Sequence, residues 1–415
     1  MKNRIIISTG QGRLHLIESA KAIKNAGFEV KVITGWIPAK IVPDSIINFL
    51  GEISGNKNLL YGLRKREPKE LNRKSLYSHS FSEFVYQLLL ISARFGLLSK
   101  DWAVKVGWQI FGISSKKDIK EAEVFHVRSG AGNSGAISRA KEHGMFVVVD
   151  HSAAHPKEIH KQLSKIYRSE EIPIHPDMGL WKLVMDDCKE ADVLLVNSDY
   201  VKSTFLKHGF CDEKISVVPL GIRRDFLYLK KNYTIDGKLK LLYTGSVRKW
   251  KGVHLLIEVA KQLFSNGILF EFNFVGSISN EIEIPEELQN LNLLRFHGHV
   301  AQDALKSYLK DADIYVFPSY CEGAAQSLKE AMSAGLPVIA TNESGAPIKN
   351  GENGIIVKDN CVKSIYDAVI SLSHDESFRR EIGKNAAETI KKGHSWDNYG
   401  ESVVSLYRKY LGYEV

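Results

Sequence analysis

Cysteine is scarce. The chain has four in 415 residues, Cys188, Cys211, Cys321 and Cys361, widely spaced and without a Cys-x-x-Cys pair. That pattern argues against a disulfide framework or a structural zinc site and fits a reduced, cytosolic setting. Long apolar runs are missing too: no stretch reaches the roughly 18 residues of a membrane span. The opening Met-Lys-Asn-Arg-Ile-Ile-Ile-Ser has too short an apolar part for a secretory leader and reads as a first buried strand. The expectation is a cytoplasmic chain, in which Asn232-Tyr-Thr carries no weight as a glycosylation acceptor. Neither sign of charge dominates, since 56 basic against 48 acidic residues give +8. This excess suits anionic ligands or a membrane surface, falls far short of a nucleic-acid arm, and no nucleic-acid motif accompanies it.

Two further absences narrow the chemistry. The loop Ser8-Thr-Gly10-Gln-Gly12-Arg13 after the first strand lacks the third glycine of a Gly-x-Gly-x-x-Gly run. The second strand ends in Ile33-Thr34-Gly35 with no acidic residue, so a nicotinamide site is disfavoured. His151, His155, His160 and His175 lie near one another, but Pro156 is expected to interrupt any helix aligning them, and no His/acid set has ligand spacing. No metal is expected.

What is present is a globular composition, 44% hydrophobic and 25% charged, long enough for two domains. Short apolar strands alternate with helical patterns, the signature of parallel sheets covered by helices. A first series of strands falls at 4–8, 29–33, 124–127, 146–150 and 193–197, with helices near 14–26 and 134–142. A second series falls at 239–244, 270–275, 293–298, 314–318, 337–340 and 354–357. Between them Val217-Val-Pro219-Leu-Gly221-Ile breaks the periodicity as a linker would.

The richest stretch is Glu322-Gly-Ala-Ala-Gln-Ser-Leu-Lys-Glu330, after the strand Asp313-Ile-Tyr-Val-Phe-Pro-Ser319. Glu322 falls in a strand-to-helix loop and Glu330 about two turns into the helix. Free amides of a first helical turn and the positive end of its dipole hold phosphate. Gly323, Ala324 and Ala325 allow close approach, and Glu330 is placed to accept from vicinal hydroxyls. A second cluster, Gly245-Ser246-Val-Arg248-Lys-Trp-Lys251-Gly252, gathers cations at another helix start, an arrangement that makes sense with an anion between them.

Together these motifs resemble retaining glycosyltransferases of the GT-B fold in glycosyltransferase family 4. The resemblance implies an α/β chain of two Rossmann-like domains whose parallel sheets face each other across a cleft. Residues 1–218, completed by a closing helix in 394–415, would form the acceptor side and 219–393 the donor side. It implies a ribose-binding role for Glu330, and donor-sugar contacts for Glu322 with Gly323, Ala324, Ala325 and Gln326. Lys251 would clamp the diphosphate. The family's partner arginine is replaced by Ser246, and Arg248 is the candidate substitute. Arg223 stands where the family usually has an aspartate, so no aspartate role transfers. His151, at a strand end, would meet the donor sugar or charge developing near the anomeric carbon. Gly12 would face the cleft, and His299 and Val300 would lie near the base.

The implied activity is transfer of a hexose-type sugar from a nucleoside diphosphate sugar to an acceptor hydroxyl with retention, through front-face attack assisted by the leaving phosphate. His151, Lys251 and Glu322 are the catalytic candidates, and neither metal nor cofactor is implied. A saccharide or lipid-linked saccharide acceptor in surface polysaccharide, lipopolysaccharide or glycolipid biosynthesis fits residues 81–111. There basic groups stand among aliphatic and aromatic ones, as on a protein lying against the inner face of a membrane, although core helices would look much the same. A non-catalytic nucleotide-sugar-binding partner and a sugar-nucleotide epimerase on the same fold are the alternatives.

Overall fold

Strands as apolar as Ile5-Ile6-Ile7 and Val147-Val148-Val149 can only be buried on both faces, and each of these side chains has essentially no exposure. They lie in parallel sheets within the computed structural model, which describes residues 4–11, 15–37 and 71–412. Gly12 and the basic cluster Arg64-Lys65-Arg66 lie outside the described residues.

The first domain runs β1 (Arg4–Ser8), α1 (Leu16–Asn25), β2 (Glu29–Thr34), β3 (Leu76–Ser78) and the helical hairpin α2 (Ser80–Arg94) and α3 (Lys100–Ser115). It continues through β4 (Val124–Arg128), α4 (Ala136–Glu142), β5 (Phe146–His151), α5 (Pro156–Leu163), α6 (Gly179–Glu190), β6 (Val193–Val196), α7 (Asp199–Lys207) and β7 (Ile215–Val217). Its sheet order is β3-β2-β1-β4-β5-β6-β7, all parallel. Alternate residues face opposite cores. Ile6, Phe125, Val127 and Val149 pack towards α3 and α6, whereas Ile5, Ile7, Val124 and Val148 pack towards α1.

The second domain comprises β8 (Leu239–Thr244), α8 (Val253–Ser265), β9 (Phe270–Val275), α9 (Glu286–Asn290), β10 (Leu294–Phe296), α10 (Gln302–Asp311) and β11 (Ile314–Phe317). α11 (Gln326–Ala334), β12 (Val338–Thr341), β13 (Ile355–Val357), α12 (Val362–His374) and α13 (Glu376–Gly393) complete it. Its order is β10-β9-β8-β11-β12-β13. Each sheet reverses direction beside its first strand, at β1/β4 and at β8/β11, where such sheets open a crevice at the strand ends.

α14 (Trp396–Leu411) returns to the first domain. Tyr399, Val403 and Tyr407 are buried with Leu16, Ala20 and Ile23 of α1. A Cβ on Gly400 would stand 2.5 Å from that of Ala22, so glycine lets the two helices cross closely. The two chain crossings run side by side, with the Ile222 amide donating to the His394 carbonyl at 2.7 Å.

Three sequence expectations need correction. The linker does not begin at Val217, which ends β7; the crossing starts at Val218, because Ile215 and Val217 pair with Leu194 and Val196. Pro156 does not interrupt a helix: it occupies the first position of α5, where proline lacks nothing the helix needs, and His160 rides on that helix. Glu330 lies just over one turn into α11 rather than two, because the helix starts only at Gln326.

Candidate functional site

The site grows from the β8/β11 crevice. β8 ends at Thr244, and the chain runs through Gly245, with φ of +141°, and a short turn at Lys249–Lys251 before Gly252 opens α8. Gly252 has φ of +76°, and a Cβ there would meet the Pro318 carbonyl at 2.1 Å, so only glycine brings this turn against the end of β11. The result is direct contact between the two sequence motifs. The Lys251 ammonium pairs with the Glu322 carboxylate, which also accepts from the Ser319 hydroxyl at 2.9 Å. Beside them the Trp250 indole donates to the Cys321 carbonyl at 2.9 Å.

The loop between β11 and α11 is held from behind by the turn after β12. The Glu322 amide donates to the Glu343 carbonyl at 2.8 Å and that of Ala325 to the Ser344 carbonyl at 3.0 Å. Gly345 at φ +62° allows that turn, and its place in the site was not read from the sequence. No side chain caps α11 at Ala325, which leaves its first-turn amides available to an anion. One turn on, Glu330 makes no hydrogen bond or ion pair with the described residues. Burial pushes its carboxyl up to about 7, against the pull of Arg223. Its neighbour Lys329 is fully buried and donates to the Leu220 carbonyl of the chain crossing at 2.8 Å. Burial brings that ammonium down to about 7. Arg223 is paired with Asp225, which also meets Lys306 at 2.8 Å.

From the first domain, β5 delivers His151 to its C-terminal end. Its Nδ1 lies 2.8 Å from the Ser129 hydroxyl, its ring packs edge-on against Phe205, and Nε2 is buried without a partner. Burial outweighs the adjacent Asp150 charge and lowers the imidazole to about 4, so His151 is neutral at pH 7. The next residue touches the donor-side loop: a Cβ on Gly323 would come within 1.7 Å of the Ser152 carbonyl. Ser198 donates to the Gly323 carbonyl at 2.5 Å, and Asn197 donates to that of Ser152 at 3.3 Å. The cleft is further bridged by Tyr167 to Glu281 at 2.8 Å and by an apolar cluster of Ile159, Leu163 and Ile174 with Cys321 and Trp250.

The structure therefore brings Lys251, Glu322, Gly323, Ala324, Ala325 and Gln326 together and sets His151 across from them. Arg248 stands at the same turn with a buried Nε that lacks a partner, as does Asn197 Oδ1. Buried polar atoms without partners are rare in native proteins, and several around one cleft indicate a polar ligand. The Ser246 carbonyl accepts from the Tyr243 hydroxyl at 2.8 Å, which ties down the backbone of this turn. His299 is exposed on the loop after β10, with its Nδ1 3.0 Å from the Val300 carbonyl, at the far edge of the sheet from β11. Among the described residues no cluster of His, Cys, Asp and Glu could hold a metal.

Sequence reasoning also missed a buried network beneath His151. Asp150 accepts from His15 at 2.9 Å through both oxygens and lies 3.4 Å from His126, whose other nitrogen is 2.5 Å from the Tyr407 hydroxyl of α14. The two histidines hold the Asp150 carboxyl well below its usual range in spite of burial. No local motif announces this set, because its members are scattered along the chain from position 15 to position 407.

Two Rossmann-like domains with these sheet orders and a returning C-terminal helix constitute the GT-B fold. Residues 227–389 match the family described as "Glycosyl transferases group 1". Among solved structures, sucrose-phosphate synthase from Thermosynechococcus elongatus superposes with a TM-score of 0.65 at 16% identity, over 99% of this chain and 100% of that one. Anabaena HepE in complex with UDP and glucose superposes at 0.61 and 13%, over 98% and 99%. A capsular polysaccharide biosynthesis glycosyltransferase, CapM of Staphylococcus aureus, is 32% identical over 53% of this chain and 62% of its own length. A putative colanic acid biosynthesis glycosyltransferase, WcaL of Salmonella typhimurium, is 26% identical over 52% and 57%. The chain thus spans less than two thirds of the length of these curated relatives.

Proposed function

We infer that this protein is a glycosyltransferase that moves a sugar from a nucleoside diphosphate sugar to an acceptor hydroxyl in the cleft between its sheets. The observation that carries this reading is the meeting of Lys251, Glu322 and the uncapped start of α11 at the β8/β11 crevice, with Glu330 unpartnered one turn on. The group 1 family match over the same segment supports it. Lys251, Arg248 and the α11 amides take the diphosphate, and Glu330 takes the ribose hydroxyls. Glu322 and the amides of Gly323, Ala324 and Gln326 take the sugar, with the Ala325 amide holding the loop to Ser344. In the finer reading the sugar is a hexose, transfer retains the anomeric configuration, and no metal is needed because cations and amides hold the leaving phosphate. Neutral His151 offers a hydrogen bond to the sugar.

The relatives and structural neighbours, CapM, WcaL and HepE with UDP among them, favour a surface polysaccharide acceptor and a uridine donor. Thermal stabilisation by a panel of nucleoside diphosphates, repeated on Glu330→Ala, tests the donor site. A ligand at 100 times its Kd stabilises by about 2.7 kcal/mol, and the variant should lose most of that shift. Proton NMR of the first product formed reads the anomeric configuration. A protein that none of the diphosphates stabilises would sink the reading.

A further inference from the structure

We propose that the outer face of the α2–α3 hairpin is a docking surface for an anionic lipid bilayer. The observation is a stripe: Phe81, Phe84, Leu88, Ile91 and Phe95 recur at spacings of three and four along α2, and all are between 47% and 76% exposed. At 100° per residue these five fall within an arc of about 80°. The opposite face of α2 is the one that packs on α3, where a Cβ on Gly107 would meet Tyr86 at 2.1 Å. An amphipathic helix in a globular protein turns its apolar face inward; this one turns an apolar face to each side. The tip continues the surface with Leu97 at 75% and Trp102 at 47% exposure.

Charge identifies the occupant. Arg94 and Lys100, both exposed, flank the tip. The hairpin has two acids: Glu83 is buried and accepts from the Trp36 amide, and Asp101 is exposed with its carboxylate against Gly179 at the start of α6. Apolar side chains with an aromatic belt and an excess of cations, Arg94, Lys100 and Lys105 against the single exposed acid Asp101, are the two signals that suit reversible attachment to an anionic membrane.

The base of the hairpin touches the cleft. Gln11, in the loop after β1, donates to the Gly107 carbonyl at 2.9 Å, and Arg128, at the end of β4, lies over the Trp108 ring at 4.9 Å. Docking through the hairpin would thus hold the acceptor side of the cleft near the bilayer, where a lipid-linked acceptor resides. That consequence rests on the glycosyltransferase reading; the docking surface does not.

The test is sedimentation of the full chain with vesicles of phosphatidylcholine alone or mixed with phosphatidylglycerol. The parent should bind the mixed vesicles and release them as salt rises. Phe95→Ser/Leu97→Ser should weaken binding roughly tenfold or more, since it removes the two most exposed apolar side chains at the tip. Arg94→Gln/Lys100→Gln should weaken it on the mixed vesicles only, and stabilisation by the donor nucleotide should be unchanged in both variants. A parent that ignores both vesicles, or serine variants that bind like the parent, overturns the proposal. So does a parent dimer that the serine variant splits without any vesicle binding, which would make the stripe an interface between copies. If vesicles bind but no nucleotide stabilises the protein, the docking surface stands and the transferase reading falls.

Discussion

Ser198 donates its hydroxyl proton to the carbonyl of Gly323 at 2.5 Å, joining the start of α7 in one domain to the loop that opens α11 in the other. The contact fixes how near the two sheets stand. A side chain cannot be accommodated at Gly323, because the Ser152 carbonyl already occupies the Cβ position.

Gly323→Ala should therefore separate closure from folding. Each domain keeps its own core, so the melting temperature should fall by only a few degrees. The cleft, however, cannot close to the same distance, and misplacing reacting groups by about 1 Å costs on the order of 100-fold in rate. Turnover of donor and acceptor, read beside a melting curve, checks this. Wild-type turnover in the variant would mean that the closed contact is not the reactive geometry.

Lys251 and Glu322 neutralise each other without ligand, so their variants should not behave alike. Lys251→Ala removes a charge-assisted contact to the leaving diphosphate worth about 1.5 to 3 kcal/mol, a loss of roughly 10-fold to 100-fold in rate. Glu322→Gln releases the ammonium and should leave nucleoside diphosphate affinity equal or tighter, while turnover of the intact sugar donor drops. Calorimetric titration with the diphosphate and steady-state rates with the sugar donor separate the two. Equal weakening of diphosphate binding by both changes would contradict the assignment.

How much of this was legible in the sequence follows from how local each cause is. The β-branched runs at 5–7 and 147–149 announced buried parallel strands, and glycines next to cations announced the crevice at Lys251 and Glu322, because strand burial and helix-start chemistry are written within a few residues. The three-residue strands β3 and β7 were missed: Leu76-Tyr-Ser and Ile215-Ser-Val have no pattern of their own and pair only because a neighbouring strand offers an edge. The Asp150, His15, His126 and Tyr407 set, and the support that Ser344 and Gly345 give to the Glu322 loop, come from chain segments that meet only in three dimensions. The stripe on α2 was seen as composition, but its outward orientation depends on which face α3 covers.

Glu330 should make donor binding pH-dependent. Its carboxyl is raised to about 7 by burial, and only the ionised form accepts from both ribose hydroxyls. Apparent affinity scales with the ionised fraction, so it should tighten close to tenfold, on the order of 0.1 to 0.9 ionised, from pH 6 to pH 8. The probe should be the intact sugar nucleotide, whose diphosphate does not titrate in that range. Glu330→Gln should bind more weakly at pH 8 and show a flat profile. A parent profile as flat as that of the variant would remove Glu330 from the ribose site.

His155 provides a sharper test of the first domain. It caps α5, accepting from the Lys157 amide at 3.2 Å, and stacks on His208 at 4.3 Å. Burial and the His208 charge lower it to about 3, against about 6.5 in an unfolded chain. The unfolded state then binds more protons between those values, so this group costs stability as pH falls below about 6.5 and nothing above it. Glu330, raised to about 7, acts in the opposite sense over the same window, because its folded form holds the extra proton. The informative quantity is therefore the difference between parent and His155→Asn, which keeps an acceptor for Lys157 but cannot titrate. The variant should gain stability relative to the parent steadily from pH 6.5 to pH 4 in paired denaturant melts. A constant difference across that range would mean that His155 is protonated as readily in the folded protein as in the unfolded chain.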